Sequence, residues 1–255
     1  MSSAAIPVLL AAAGLATGSF LNVCIHRLPR SQSVVWAASA CTACGRPLRW
    51  FENVPVIAWL ALRGRCRTCG ARISPAYLLV ELATPILFLL QYSVVGWQPL
   101  LAARLLLCAA LIVLFVTDLR HRLLPDAVTL SGIAAGLTVA VLVPPGLPEA
   151  LVGAAAGGGL LLAVARAYAA LRGEEGLGMG DVKMLAMVGA FLGWQLTFVA
   201  LLLATVLGSA VGIGMLALGL ADRRYPLPFG SFLAAGAVAA TVVGEPLRGW
   251  HLALY

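Results

Sequence analysis

Charge is what this chain has least of. Only 11% of its 255 residues are Asp, Glu, Lys or Arg, 62% are hydrophobic, and the mean hydropathy is +0.99. A soluble domain of this size has no interior able to hide that much apolar surface, so a soluble protein is excluded. Histidine is scarce too: His26, His121 and His251 are scattered, and no serine or cysteine sits in a recognisable nucleophile elbow, which excludes Ser-His-Asp chemistry. No dinucleotide-type glycine fingerprint marks a cofactor pocket. No internal repeat is evident either, which argues against a proton-relaying transporter with inverted halves.

What is present in quantity is the long apolar run. About 20 such residues cross the hydrocarbon core, and the pattern predicts an all-α polytopic membrane protein. Eight spans are expected, near 5–25, 76–95, 100–117, 127–143, 150–170, 183–193, 196–220 and 229–246, the sixth being short. The first runs on into further chain rather than a small-residue cleavage site and reads as an anchor. The domain division expected is 1–25 as first span, 26–75 as a small polar segment, and 76–255 as the membrane core.

The net charge of +7 points to topology rather than to nucleic acid. Arg27, Arg30, Arg46, Arg49, Arg63, Arg65, Arg67 and Arg72 crowd the polar segment, and such a bias marks cytoplasmic loops. The N-terminus is then outside. Threading the spans places Arg120, Arg122, Arg172, Lys183, Arg223 and Arg224 inside as well, with Arg104 and Arg248 outside. In the first span Gly14, Gly18 and Ser19 suit close helix packing in lipid; His26 after it reads as an interfacial histidine with no adjacent partner.

The polar segment holds Cys41-Thr42-Ala43-Cys44-Gly45 and Cys66-Arg67-Thr68-Cys69-Gly70. Each glycine permits the positive φ of a tight turn. Four cysteines so paired, 21 residues between the pairs, fit a tetrahedral structural zinc site, whose metal would also let so small a segment fold. A redox dithiol or unliganded thiols are the alternatives. Cys24 and Cys108 lie in apolar surroundings and read as packing residues.

Three acids stand at span ends. Asp118 closes the run Leu105–Thr117; it is a catalytic candidate or the partner of Arg120 or Arg122, and the sequence leaves both open. Asp126 follows Pro125 and reads as a helix N-cap. Asp181 lies in Gly178-Met179-Gly180-Asp181-Val182-Lys183, where two glycines admit close approach and a helix start favours a carboxylate. Lys183 does not share a helical face with Asp181 and either supports the site or snorkels to a lipid phosphate. Ionisable residues at a membrane boundary are costly and mark function. Asp118 and Asp181 fall on the same, cytoplasmic, side. Two such carboxylates sharing a proton form the acid and base of peptide hydrolysis.

The chain resembles the type IV prepilin peptidases, bifunctional leader peptidases and N-methyltransferases of the Gly-x-Gly-Asp aspartyl protease class. The likeness rests on Gly18-Ser19-Phe20-Leu21-Asn22-Val23 with Arg27-Leu28-Pro29, and on the Cys-x-x-Cys turns around Glu52-Asn53-Val54-Pro55. It continues through Ile73-Ser74-Pro75-Ala76-Tyr77 with Glu81, Asp118 with Leu124-Pro125-Asp126, Gly178–Lys183, and Pro228-Phe229-Gly230. One departure is Ser231, where a proline is common in the family. The resemblance implies that Asp118 and Asp181, supported by Gly178, Gly180 and Lys183, are catalytic. It implies cleavage of prepilins or pseudopilins after a glycine at the cytoplasmic face of the bacterial inner membrane, then methylation of the new N-terminus by S-adenosylmethionine. It assigns no residues to that donor, no nucleic-acid partner and no oligomeric state. A zinc-bearing scaffold of a secretion complex, whose acids would be replaceable, and a signal-peptide-peptidase-like enzyme are the competing readings.

Overall fold

Helices meet closely in lipid only where their side chains are small, and the N-terminal helix pair is built on that rule. The computed structural model describes residues 5–34, 39–174, 176–220, 222, 225 and 227–252, with side chains of the last helix described through Gly244. Helix α1 (Ala5–Arg27) lays Gly14 and Gly18 against α3 (Pro75–Val95): a Cβ on Gly14 would stand 2.5 Å from the Pro85 Cα, and one on Gly18 2.9 Å from the Thr84 Oγ1. Further along, Asn22 Nδ2 donates to the Tyr77 carbonyl at 3.0 Å. The contacts pair rising numbers on α1 with falling numbers on α3, so the two helices are antiparallel. Between them runs the cysteine segment with the short α2 (Ile57–Ala61). His26 is not solitary: Arg30 Nη1 lies 3.4 Å from its Nδ1.

The chain divides into two compact units, Met1–Ser93 and Val94–Tyr255. Most of α3 thus groups with α1 and the cysteine segment, not with the later helices, because its Pro85 and Thr84 face fits the glycines of α1.

The second unit contains α4 (Pro99–His121), α5 (Asp126–Val139), α6 (Leu147–Arg172), α7 (Met179–Ala217) and α8 (Phe229–Leu252). Its core is the first part of α7, where Met184, Leu185, Met187 and Val188 have no exposed surface. Glycines let the neighbouring helices reach it. Gly132 and Gly136 of α5 rest on Met187 and Ala190, while Gly153 of α6 lies so near Gly189 that a Cβ there would be 2.5 Å from the Gly189 carbonyl oxygen.

Five of the described helices are long and apolar enough to cross a membrane, α1, α3, α4, α6 and α7, and α5 and α8 are shorter apolar helices. Seven apolar helices are thus described, and α7 is itself two helices that meet at Gly193, where the expected sixth span ends and before the expected seventh begins. Gly193 interrupts α7 with φ 74° and ψ 173°. Gly208 lies against Phe232, one residue past the Ser231 that bonds Asp118, and Asp181 interacts electrostatically with Asp118. Residues 181 and 208 thus lie at the same end, although 27 residues of straight helix would separate them by about 40 Å. Helix α7 turns back at Gly193, where its glycine alone accepts the left-handed φ and packs under Pro145.

Arg223 and Arg224, expected as inner-loop charges, lie outside the described residues, and of Arg248 only the backbone is described.

Candidate active site

Asp118 occupies the last turn of α4. The helix stops one turn later, where Arg122 adopts φ 51° and returns its N–H to the Asp118 carbonyl at 2.8 Å. The Arg122 guanidinium lies over the Tyr225 ring, 5.4 Å from its centroid. Asp118 is buried, and its Oδ2 accepts two hydrogen bonds from one residue of α8: Ser231 N at 2.6 Å and Ser231 Oγ at 2.9 Å. The hydroxyl has a second acceptor in the Phe115 carbonyl at 3.1 Å.

Asp181 lies three residues inside the start of α7, capped by Gly178 in an ordinary extended conformation. Its carboxylate meets the Gly178 backbone and the charge of Asp118. Leu124, in the loop after α4, fills the space among these groups. A Cβ on Gly180 would stand 2.9 Å from the Leu124 Cβ, and one on Gly230 would stand 3.0 Å from both Leu124 methyls and 3.1 Å from the Asp118 Cγ. The ends of α4, α7 and α8 meet because two of them present hydrogen where other residues present a side chain.

The remaining expected residues divide. Asp126 does not cap α5: Pro125 holds that position without a side-chain cap, and Asp126 sits in the first turn. Its carboxylate receives Lys183 Nζ at 2.7 and 2.8 Å. This pairing replaces the lipid phosphate as the partner of Lys183. Sequence reasoning passed over Ser231 and Leu124 as site residues. Ser231 was visible only as a departure from a family pattern, and Leu124 only as one apolar residue in a quoted motif.

In the first unit the four cysteines converge, their sulfurs all within 4.8 Å of one another. The two turns have matching backbones: Cys41 N–H to the Arg46 carbonyl and Gly45 N–H to Cys41, each at 2.9 Å, against Cys66 N–H to Ala71 at 2.8 Å and Gly70 N–H to Cys66 at 2.9 Å. Backbone N–H groups of Cys69 and Thr68 pull the Cys66 thiol down to about 6, and those of Cys44 and Ala43 lower Cys41, whereas Cys69, despite the Ala71 backbone N–H, is pushed up to about 11 by the neighbouring sulfurs, so without a metal the negative charge of the cluster gathers on Cys41 and Cys66. Sulfurs about 2.3 Å from a tetrahedral zinc stand roughly 3.8 Å apart; Cys41 Sγ and Cys69 Sγ are 3.9 Å apart. The set fits a four-thiolate metal. Arg46 anchors the segment through Glu52, Nη2 to Oε1 at 2.7 Å. Beside the cluster lies a cavity of about 310 Å³ whose lining includes Arg46, Trp59, Arg67, Arg72 and Tyr77. Cys24 and Cys108 are buried, as expected of packing residues.

Two family models match the chain. Residues 12–95 match the bacterial peptidase A24 N-terminal domain, and residues 105–213 match the type IV leader peptidase family. Among curated proteins, the prepilin leader peptidase/N-methyltransferase of Aeromonas salmonicida (strain A449) is 38% identical, covering 93% of this chain and 91% of its own length. Proteins of the same name from Burkholderia pseudomallei (strain K96243) and Pseudomonas aeruginosa are 39% and 36% identical. They cover 91% and 94% of this chain, and 84% and 91% of their own lengths. No solved structure gives a significant match.

Proposed function

Because the chain belongs to the type IV leader peptidase family, we propose that it is the peptidase and N-methyltransferase that matures type IV prepilins or pseudopilins, with Asp118 and Asp181 as the hydrolytic pair. It is a multi-pass membrane protein. The N-terminus lies outside, and the cysteine segment and both aspartates lie on the cytoplasmic side of the inner membrane, the orientation that the arginine distribution favours. The observation that carries this reading is that residues 63 positions apart in sequence, at the end of α4 and the start of α7, lie close enough for their charges to interact.

Two nearby carboxyls that cannot both ionise easily share one proton. The ionised carboxylate takes a proton from water as the water oxygen bonds to the carbonyl carbon of the leader's last residue, a glycine in the family. The protonated carboxyl gives its proton to the carbonyl oxygen. In the second half the first carboxyl passes its proton to the amide nitrogen, the C–N bond breaks, and the other carboxylate recovers a proton from a diol hydroxyl. The pair ends as it began, with a free carboxyl on the leader and a free amine on the pilin. Such acid and base assistance is worth about 10²–10⁴-fold.

The new amine is then methylated. S-adenosylmethionine is the methyl donor, a cation with a carboxylate tail. The cavity beside the cysteines offers that chemistry Trp59 and Tyr77 as aromatic faces and Arg46, Arg67 and Arg72 as cations. Trp59 Nε1, buried without a hydrogen-bond partner, is a donor awaiting one. Cys41, Cys44, Cys66 and Cys69 hold zinc, which stabilises the segment and takes no part in cleavage.

The test is intact mass spectrometry of a prepilin-like substrate incubated with the purified protein and S-adenosylmethionine, beside Asp118→Ala and Asp181→Ala. Wild type should remove the leader and add 14 mass units, roughly one methylene, while both variants leave the substrate full length. A variant that still cuts shows its aspartate to be structural.

A further inference from the structure

A carboxylate in the last turn of a helix has the negative end of that helix's dipole beneath it, which disfavours its charge. Asp118 has this position in α4. Asp181 has the opposite one: it stands in the first turn of α7, with the Gly178 backbone facing it. These two placements alone would put the negative charge of the pair on Asp181 and the proton on Asp118. Helix α8 reverses the balance. Its first turn presents Ser231 N–H to Asp118 Oδ2 at 2.6 Å and the hydroxyl at 2.9 Å, both in buried surroundings.

The N–H has no other acceptor among the described contacts, and a donor aimed at a carboxylate oxygen interacts more strongly with the ionised form. The hydroxyl has one proton for two acceptors, Asp118 and the Phe115 carbonyl. An ionised carboxylate is the stronger of these. Ser231 is the third residue of α8, one of the four whose N–H has no partner inside a helix, so its donor is free to serve another chain segment.

We propose that Ser231 is the positioning residue that holds the negative charge of the pair on Asp118 and leaves the shared proton on Asp181. Asp118 is then the base that deprotonates water, and Asp181 is the acid that protonates the carbonyl oxygen. The other ionisable groups around Asp118 come from α4, α5 and α7. Asp181 of α7 is the partner itself, Lys183 is engaged by Asp126 of α5, and Arg120, His121 and Arg122 follow Asp118 on its own helix, Arg122 lying over Tyr225. The first turn of α8, Phe229 to Ser231, brings no ionisable group.

The inference rests on the aspartate pair proposed above, and its test separates the two. Cleavage rate is measured against pH for the full-length protein in detergent or lipid, with wild type, Ser231→Ala, Ser231→Pro and Ser231→Thr. Alanine removes one donor. Proline removes both, and in the first turn of a helix it costs no helical bond. Threonine keeps both donors. Donors to the charged form favour it, so removing them makes the base of the pair easier to protonate. The acid limb of the profile should therefore move to higher pH, by about one unit for proline, less for alanine, and not for threonine. An acid limb that stays in place in alanine and proline variants, at whatever activity they retain, overturns the proposal. Asp118→Asn and Asp181→Asn are run alongside: if both cut as wild type does, the pair itself fails, whereas inactive aspartate variants with unmoved serine profiles defeat only the role of Ser231.

Discussion

Lys183 holds both carboxylate oxygens of Asp126, at 2.7 and 2.8 Å, and so ties the start of α7, which carries Asp181, to the start of α5. Neither side chain is buried; their exposures are 30% and 58%. An exposed pair of this kind contributes about 0.2–1 kcal/mol. Lys183→Met and Asp126→Asn should each slow cleavage by a small factor, and the double variant should be no slower than the worse single one. Cleavage rates in a double-mutant cycle check this. If the two losses multiply, the residues act separately and Lys183 has another partner.

The glycines around the two acids should differ sharply. Gly178 has φ −73° and ψ 142°, and a Cβ there would meet nothing nearer than the Asp181 Oδ2 at 3.5 Å. Gly178→Ala should keep most activity. Gly180→Ala meets the Leu124 Cβ at 2.9 Å, and Gly230→Ala meets Leu124 and the Asp118 Cγ at 3.0 and 3.1 Å. Overpacking of this sort costs about 1–3 kcal/mol, and here the cost falls on the acids themselves. Both should lose about tenfold or more in rate at normal protein levels, measured with a fixed substrate; a Gly178→Ala enzyme slower than either would contradict the contacts.

Removal of the metal should separate the two activities. Cys41→Ser and Cys69→Ser break the thiolate set, and because a structural zinc contributes folding energy, protein level and methylation should fall further than cleavage per molecule. Metal analysis of the purified wild type should find zinc, and both variants should lose it. Cleavage lost in equal measure at normal abundance would tie the metal to hydrolysis.

Acid should loosen the cysteine segment through Glu52. The Arg46 guanidinium at 2.7 Å, followed by the Arg49 N–H at 2.8 Å, holds the Glu52 carboxyl below the usual carboxylate range. A carboxyl whose pKa is lower in the folded state stabilises that state fully above its unfolded value of about 4.3, and the stabilisation fades as pH falls through the folded value. Limited proteolysis between Ser39 and Ser74 should therefore quicken as pH drops below about 5. Glu52→Gln should be cut faster than wild type at neutral pH, and its dependence on pH in this range should be weaker.

Part of the molecule was legible from the chain alone. Apolar runs fixed most helices because a span must satisfy its own backbone, a requirement written locally. The spacing of Cys41, Cys44, Cys66 and Cys69 announced the cluster, since each Cys-x-x-Cys turn is local too. The positions of Asp118 and Asp181 at span ends marked them as candidates, but their choice over Asp126 came from the family pattern, because one sequence holds no record of which acids meet.

Tertiary structure decided the rest. Hydropathy separated the two parts of α7, but not the geometry of the break: Gly193, with φ 74° and packed beneath Pro145, is where the chain turns back. Local rules gave Asp126 the cap of α5, yet Lys183, 57 positions away, claims its carboxylate. Ser231 reaches Asp118 across 113 positions. Composition and periodicity report which surfaces a segment must bury. Which donor reaches which carboxylate depends on how helices far apart in sequence pack together, and only the folded chain brings them to hydrogen-bonding distance.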